Sequence, residues 1–246
     1  MGLTALDRYR FDLDGFLLLE DVLGSSEIAD LRDAVHGHGL DRPGTDVMQQ
    51  RFGYDSELLA WHQVFRDLLD HPVVLAVLAE LIGLYVRLDH AYGIAMRRGT
   101  AGLGLHGPAL PFDASQYYLR RGGRAWSGLL SFSWALTSAE SGEGGFGCIP
   151  GSHRVEEDLP EGAESLVVEV PQKAGSLLVF TEALVHCTVP WNGSEDRLSL
   201  LYKYSPGSST WSARPAAPPE VLPLLTPRQR LLVEPPYVGG RRPAID

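Results

Sequence analysis

Two segments of the chain carry side chains whose types and spacing could do chemistry. LGLHGPALPFDASQYY holds His106, and LLVFTEALVHCTVPWNGSEDRLSLLYKYSPG holds His186 and Arg197. A neutral imidazole can ligate a metal ion through one ring nitrogen, or settle as a structural residue with a single hydrogen bond, so neither histidine decides by itself. Arg197 and Ser199 stand two positions apart in a segment that alternates like a strand, which puts a planar, always-charged fork and a hydroxyl on one face. The competing role for Arg197 is a surface ion pair with Glu195 or Asp196. Glu182 lies in the turn leading into His186, and Asp113 follows His106 in the same loop; read locally, the first is a solvated turn residue and the second an Asx-turn or cap. Between the two segments, GEGGFGCIPGSHR reads by itself as a tight turn.

These residues need a scaffold, and the surrounding patterns predict one. A short polar lead ends at the Asp14-Gly15 turn, followed by a strand over 16–19. A serine-capped helix then begins near Ser25 or Ser26, with Ile28, Leu31 and Val35 at helical spacing. Residues 37–56 are polar, contain glycine and lack a period, the pattern of a loop or flap. LLAWHQVFRDLL and PVVLAVLAELIG predict two helices over 57–83, with Pro72 in a first turn and Gly83 at an end. Beyond them Leu88, His90, Tyr92, Ile94 and Met96 alternate as one face of a half-buried strand. Further strands are predicted over 115–119, 128–136, 166–170, 176–180, 184–188 and 198–204. So many short strands in succession make a barrel or sandwich. Thr226-Pro227-Arg228-Gln229 is a capping box that predicts a short terminal helix.

Bulk composition narrows the function classes. A chain of 246 residues with 44% hydrophobic and 21% charged residues can fill the core of one β-rich domain, taken as 1–246. The net charge of -10 argues against a nucleic-acid partner, which would call for a basic face. The N-terminus lacks the apolar run of a secretion signal, and no stretch reaches the roughly 18 apolar residues of a membrane span. The expectation is therefore a cytoplasmic protein with a small-molecule partner and no membrane association. Cys148 and Cys187 are expected as two buried thiols rather than a disulfide.

Taken together, the motifs resemble the phytanoyl-CoA dioxygenase family. The residues that carry the resemblance are Asp14-Gly15-Phe16 with Leu31-Arg32, then His106, then Ile149-Pro150-Gly151-Ser152-His153. They end in Phe180, Leu184, His186, Asn192, Ser194 and Arg197, and the whole covers roughly 10–206. The IPGSH block and the histidine-to-arginine spacing are the more specific parts. The resemblance implies a mainly β fold: a double-stranded β-helix (jelly-roll, cupin-like) core with flanking α-helices, mostly N-terminal. It also implies Fe(II) at the mouth of the core and 2-oxoglutarate as co-substrate. His106 and His186 would hold iron, and Arg197 with Ser199 would anchor the far carboxylate of the oxo acid. Gln116, Tyr117, Tyr118 and Trp134 could line a substrate pocket, or serve as ordinary core. His90 and His153 read as structural.

One departure from the family pattern matters. Members usually read His-x-Asp at the first metal segment; this chain reads His106-Gly107-Pro108. Three outcomes follow. Another carboxylate completes the site, with Glu182 ahead of Asp113 because its turn should lie near the metal end of its strand. Alternatively chloride fills the open position, as in 2-oxoglutarate-dependent halogenases, although Pro108 stands where those enzymes carry Gly or Ala. Or the fold persists as a non-catalytic binding protein. The leading expectation is an Fe(II)/2-oxoglutarate-dependent oxygenase that oxidises a small organic molecule.

Overall fold

A computed structural model describes residues 2–38, 50–108 and 113–246. Its first element is helix α1 (Ala5–Asp14), where the sequence predicts only a polar lead. The cause is a reciprocal cap. The Thr4 hydroxyl accepts from the Asp7 N–H, and the Asp7 carboxylate accepts from the Thr4 N–H at 2.9 Å. Gly15, at φ 82°, ends the helix and turns the chain into β1 (Phe16–Leu19), the predicted strand. Helix α2 (Ser25–His36) starts where expected but has no serine cap. Gly24 holds that position, and Glu27 reaches back to its N–H at 2.8 Å.

Of the segment 37–56, residues 39–49 lie outside the described residues, so the expected flap goes undescribed there. Its end is not loop but a short edge strand, β2 (Gln50–Phe52). The patterns over 57–83 give three helices instead of two: α3 (Leu58–Trp61), α4 (Gln63–Asp67) and α5 (Pro72–Leu81). His62 makes the break, with extended backbone at φ -152° and ψ 158° and a ring nitrogen that accepts from the Val64 N–H. His71 caps α5 in the same way, ahead of Pro72.

The strands follow as β3 (Val86–Met96), β4 (Leu103–His106), β5 (Tyr118–Arg121), β6 (Arg124–Ser127), β7 (Leu130–Ala135) and β8 (Gly145–Cys148). Then come β9 (Val168–Glu169), β10 (Leu177–Thr181), β11 (His186–Val189), β12 (Arg197–Pro206) and helix α6 (Pro227–Leu232), capped by Thr226 and Gln229 as predicted. Strands β4, β6 and β8 were not anticipated. β4 reads LGLH and β8 reads GFGC, and their glycines hide strand character that the ladder to β11 supplies. Only Tyr118 and Leu119 of the strand expected over 115–119 belong to one.

The strands form a six-stranded sheet in the order β1-β10-β7-β12-β3-β2, a four-stranded sheet in the order β4-β11-β8-β9 and the hairpin β5-β6, all antiparallel. This is a mainly β, double-stranded β-helix core with mostly N-terminal helices. The outer face of the large sheet packs Phe132, Leu200 and Tyr202 against Leu58, Phe65 and Leu78 of the helices. The hydroxyls of Tyr202 and Tyr204 donate to the Phe65 and Leu69 carbonyls at 2.7 and 2.8 Å, tying the helical layer to β12.

β3 does not keep the single alternating face read from Leu88 to Met96. His90 pairs with Lys203 and Leu88 with Tyr204, so Asp89 is an extra residue in the ladder, a bulge. Val86 and Leu88 face the helices, whereas Tyr92, Ile94 and Met96 belong to the inner face. Cys148 and Cys187 are buried free thiols.

Candidate active site

A cavity of about 390 Å³ lies on the inner faces, walled by residues that include His106, His186, Glu182, Arg197, Lys203 and Phe146. The ladder between β4 and β11 sets His106 directly opposite His186, with ring centroids 4.2 Å apart. Each imidazole is oriented by its own backbone. The Nδ1 of His106 lies 2.9 Å from the Gly104 carbonyl, and that of His186 lies 2.7 Å from the Leu184 carbonyl. A carbonyl only accepts, so Nδ1 carries a proton in both rings, which leaves Nε2 as the nitrogen that can turn to a metal ion. Burial draws His186 down to about 4, against the opposing pull of Glu182, so it is neutral at pH 7. Phe180 and Phe146 pack around it at 4.9 and 6.0 Å between centroids.

Arg197, Leu201 and Lys203 line the cavity from β12, and Ser199 shares their face by alternation. The ion pairs that competed for Arg197 do not form. Glu195 pairs with Arg32 at 2.5 Å and Asp196 with Arg97 at 3.9 Å. Among the described residues no carboxylate pairs with the Arg197 guanidinium, which is 5% exposed and whose hydrogen bond is a weak one to Met96 Sδ at 3.4 Å. Burial lowers it to about 10, so it remains charged at pH 7. Gly145, at φ 99°, makes room for it, since a Cβ there would sit 3.1 Å from Arg197 Nε. The Ser199 hydroxyl is buried without a hydrogen-bond partner among the described residues. A buried charged fork and an orphaned hydroxyl on one face of one strand suit a carboxylate.

Glu182 reaches the same cavity, but its Oε1 accepts from Lys203 Nζ at 2.7 Å and from the Ser131 hydroxyl. Burial works to raise this carboxyl; Lys203, and after it His186, outweigh burial and hold it at about 2. Among the described residues no three His, Cys, Asp or Glu side chains gather into a metal-binding group. The structure thus brings His106 and His186 together and leaves Glu182 in an ion pair beside them. Asp113 is an Asx-turn residue, accepting from the Ser115 N–H at 2.8 Å and the Ser115 hydroxyl at 2.6 Å.

Of the expected substrate-pocket residues, Gln116 lines the cavity. Tyr118 belongs to an adjoining second cavity, with its hydroxyl on Asp12 at 2.6 Å and its ring edge-on to His153. Trp134 is a correction. Parity along β7 turns Ser133 inward and Phe132 and Trp134 outward, and Trp134 is buried in the helical core with His71 at its edge, 5.3 Å between centroids. His90, read as structural, faces the cavity while holding Asp89 through Nδ1 at 2.7 Å. Lys203 was not singled out, although it sits on the alternating face of Arg197 and Ser199.

The family model for phytanoyl-CoA dioxygenase matches residues 11–198 of the chain. No curated protein sequence matches it. Among solved structures, HygX from Streptomyces hygroscopicus with nickel and 2-oxoglutarate bound is 26% identical, with a TM-score of 0.76, covering 89% of this chain and 94% of that one. Its iron-bound form gives 26% identity and a TM-score of 0.74 over 90% and 94%. The form with nickel, 2-oxoglutarate and hygromycin B gives 24% and 0.75 over 96% of each chain. The non-heme alpha ketoglutarate dependent carbocyclase SnoK from nogalamycin biosynthesis, 19% identical with a TM-score of 0.66 over 98% and 96%, shares the fold.

Proposed function

The chain belongs to the phytanoyl-CoA dioxygenase family, and on that premise we propose that it hydroxylates, with Fe(II) and 2-oxoglutarate, a small organic molecule through the residues around the 390 Å³ cavity. The observation that carries this reading is the unpaired, buried Arg197 beside the orphaned Ser199 hydroxyl, on the same cavity as two imidazoles with free Nε2 atoms. His106 and His186 would hold the metal, and Arg197 with Ser199 would take the far carboxylate of the oxo acid. The metal and oxo acid supply the oxidising power to break a substrate C–H bond with dioxygen. Phe146 and Phe180 keep water from the buried side of His186, and Gln116 offers a polar handle to the substrate. A cytoplasmic location and a single domain over 1–246 belong to the same reading; among the described residues no helix is long and apolar enough to cross a membrane.

The first test is an anaerobic titration with Fe(II) and 2-oxoglutarate, followed by the visible charge-transfer band of the chelate. A band is the expected result, and its absence at saturating metal and oxo acid would overturn the assignment. A second reading, halide transfer, is favoured by one observation: Pro108 replaces the usual aspartate, and Glu182 is occupied by Lys203. A band that shifts with chloride would move the assignment to that reaction.

Glu182 is assigned the role of a counter-charge beside the imidazoles. Glu182→Gln should lower Fe(II) affinity by about 10- to 100-fold, the effect of an outer group, whereas His186→Ala should abolish binding. Competition with a chromophoric chelator reads both variants. A loss in Glu182→Gln equal to that in His186→Ala would make Glu182 a ligand.

A further inference from the structure

The 390 Å³ cavity holds one constellation that the metal and oxo-acid roles leave unused. His90, Tyr92 and Trp211 all line it. The Nδ1 of His90 lies 2.7 Å from the Asp89 carboxylate, which is fully buried and also accepts from the Trp211 and Ser212 N–H groups. Burial works to raise the Asp89 carboxyl, but the bonds from His90 and the Trp211 N–H outweigh it and keep it ionised at pH 7. An ionised carboxylate only accepts, so Nδ1 is the donor. The His90 ring also stands parallel to Tyr92, 5.7 Å between centroids at 9°, and meets Trp211 at 5.5 Å and 31°. It is therefore held from behind by a charge and on its faces by two aromatic rings.

Nε2 is the polar atom of that ring left for a ligand. It makes no hydrogen bond among the described residues, and it is not one of the buried atoms sealed off without a partner, so it is open to the cavity. Its place is not the oxo acid's. Lys203 is the residue opposite His90 in the ladder, and from Arg197 to Lys203 is six positions along β12, about 20 Å at the rise of a strand. A five-carbon oxo acid anchored on Arg197 does not span that length. The charges around His90 are of both signs: Asp89 behind the ring and Glu182 on Lys203 weigh against an anion, Lys203 and Arg51 against an ammonium group. A neutral polar group suits such a wall better than either ion. A hydroxyl is donor and acceptor at once, so it meets Nε2 whether or not that nitrogen carries a proton.

We propose that His90 is a substrate-binding residue and that the substrate is an alcohol, with a hydroxyl bonded to His90 Nε2 and an apolar face of its carbon framework packed against Tyr92 and Trp211. The inference deepens the oxygenase reading and rests on it for calling this ligand the substrate. The hydroxyl bond is directional and the aromatic contact sets a plane. Together they fix which carbon of the framework is turned toward His106 and His186, the placement on which an oxidation at one position depends.

The test uses the full chain with 2-oxoglutarate and with Zn(II) as a diamagnetic stand-in for Fe(II), its histidines isotope-labelled for NMR. Benzyl alcohol, benzylammonium and benzoate are titrated in turn. The alcohol should bind and shift the ring-nitrogen signals of His90, and both ions should bind at least about ten-fold more weakly. His90→Asn keeps an N–H for Asp89 but has nothing in the place of Nε2; it should retain 2-oxoglutarate binding and lose affinity for the alcohol on the order of ten-fold, the worth of one hydrogen bond. Trp211→Ala removes an exposed ring, keeps the backbone N–H that Asp89 uses, and should weaken the alcohol by about three-fold; it decides the matter if His90→Asn does not fold. Equal binding of the alcohol and the ions, alcohol binding that a folded variant leaves unchanged, or no alcohol binding at all would overturn the inference. A charge-transfer band of the Fe(II) chelate without a preference for the alcohol defeats this inference alone. An alcohol site that depends on His90, in a chain that gives no band, defeats the oxygenase reading and leaves the site standing.

Discussion

Arg197→Met is expected to weaken 2-oxoglutarate binding by about 2–4 kcal/mol, roughly 30- to 1000-fold in Kd, and at the same time to raise the melting temperature of the ligand-free protein. The two effects share one cause. The guanidinium is buried and charged, yet no carboxylate among the described residues pairs with it. In the ligand-free chain that charge is a cost, which an apolar side chain of similar length removes. In the complex the same charge would be repaid by the oxo acid's carboxylate, with Ser199 supplying a further hydrogen bond. Calorimetry with 2-oxoglutarate and thermal melts with and without it read both sides. Unchanged affinity would remove Arg197 from the site, and a lower melting temperature in the ligand-free variant would show that its packing outweighs its unpaired charge.

Asp89→Ala should destabilise the fold by about 3–5 kcal/mol, the cost of breaking a buried, hydrogen-bonded ion pair from one side. The Asp89 carboxylate, fully buried at the β3 bulge, accepts from the Trp211 N–H at 2.7 Å, the Ser212 N–H at 3.0 Å and the Thr210 hydroxyl at 2.9 Å. His90 donates to it at 2.7 Å, and Arg87 approaches at 3.4 Å. Burial works to raise this carboxyl, but the bonds from His90 and the Trp211 N–H outweigh it and hold it well below the ordinary range. The sign follows directly. The unfolded chain takes up the proton first, near pH 4, so the contribution of Asp89 is complete above that value and is lost as pH falls toward the lower folded pKa. Urea unfolding at neutral pH should show the full difference between wild type and Asp89→Ala, and the gap should narrow below about pH 4. A gap that stays constant into acid would mean that the carboxylate charge is not what holds the loop. Trp211 lines the cavity of the candidate site, so that loop is also a wall of the site.

Much of this architecture could be read from residue order, and the places where it could not have physical reasons. The strand at Phe16–Leu19, the helix at Pro72–Leu81 and the terminal helix behind Thr226 declare themselves through period and caps. β8 does not, because GFGC has strand geometry only while β11 and β9 flank it. The Thr4 cap was visible but closes with Asp7 instead of the usual Glu or Gln. In the candidate site, His106, His186 and Arg197 could be named from the motif and its spacing, and Ser199 from its alternation with Arg197 along a strand. Trp134 failed for a parity that depends on which face of β7 meets the helices. Lys203 could have been found by extending the alternation from Arg197 along β12. Its engagement of Glu182 could not, since 21 positions and a change of strand separate the two, and only folding brings them within 2.7 Å.

The two imidazoles come from neighbouring strands, and one of those strands is an edge. β4 meets β11 at the pairs His186 with His106 and Thr188 with Leu103, with a shift of register between them, and has no other strand on its far side among the described residues. An ion shared by His106 and His186 would therefore be a crosslink as well as a cofactor. It would close a loop of some 80 residues, between positions 106 and 186, at a point where the ladder alone is thin. Much of the chain entropy of that closure is already spent in folding, so the ion would meet a gate that is nearly shut and would latch it. Releasing the ion and peeling away the edge strand would then be two descriptions of one equilibrium.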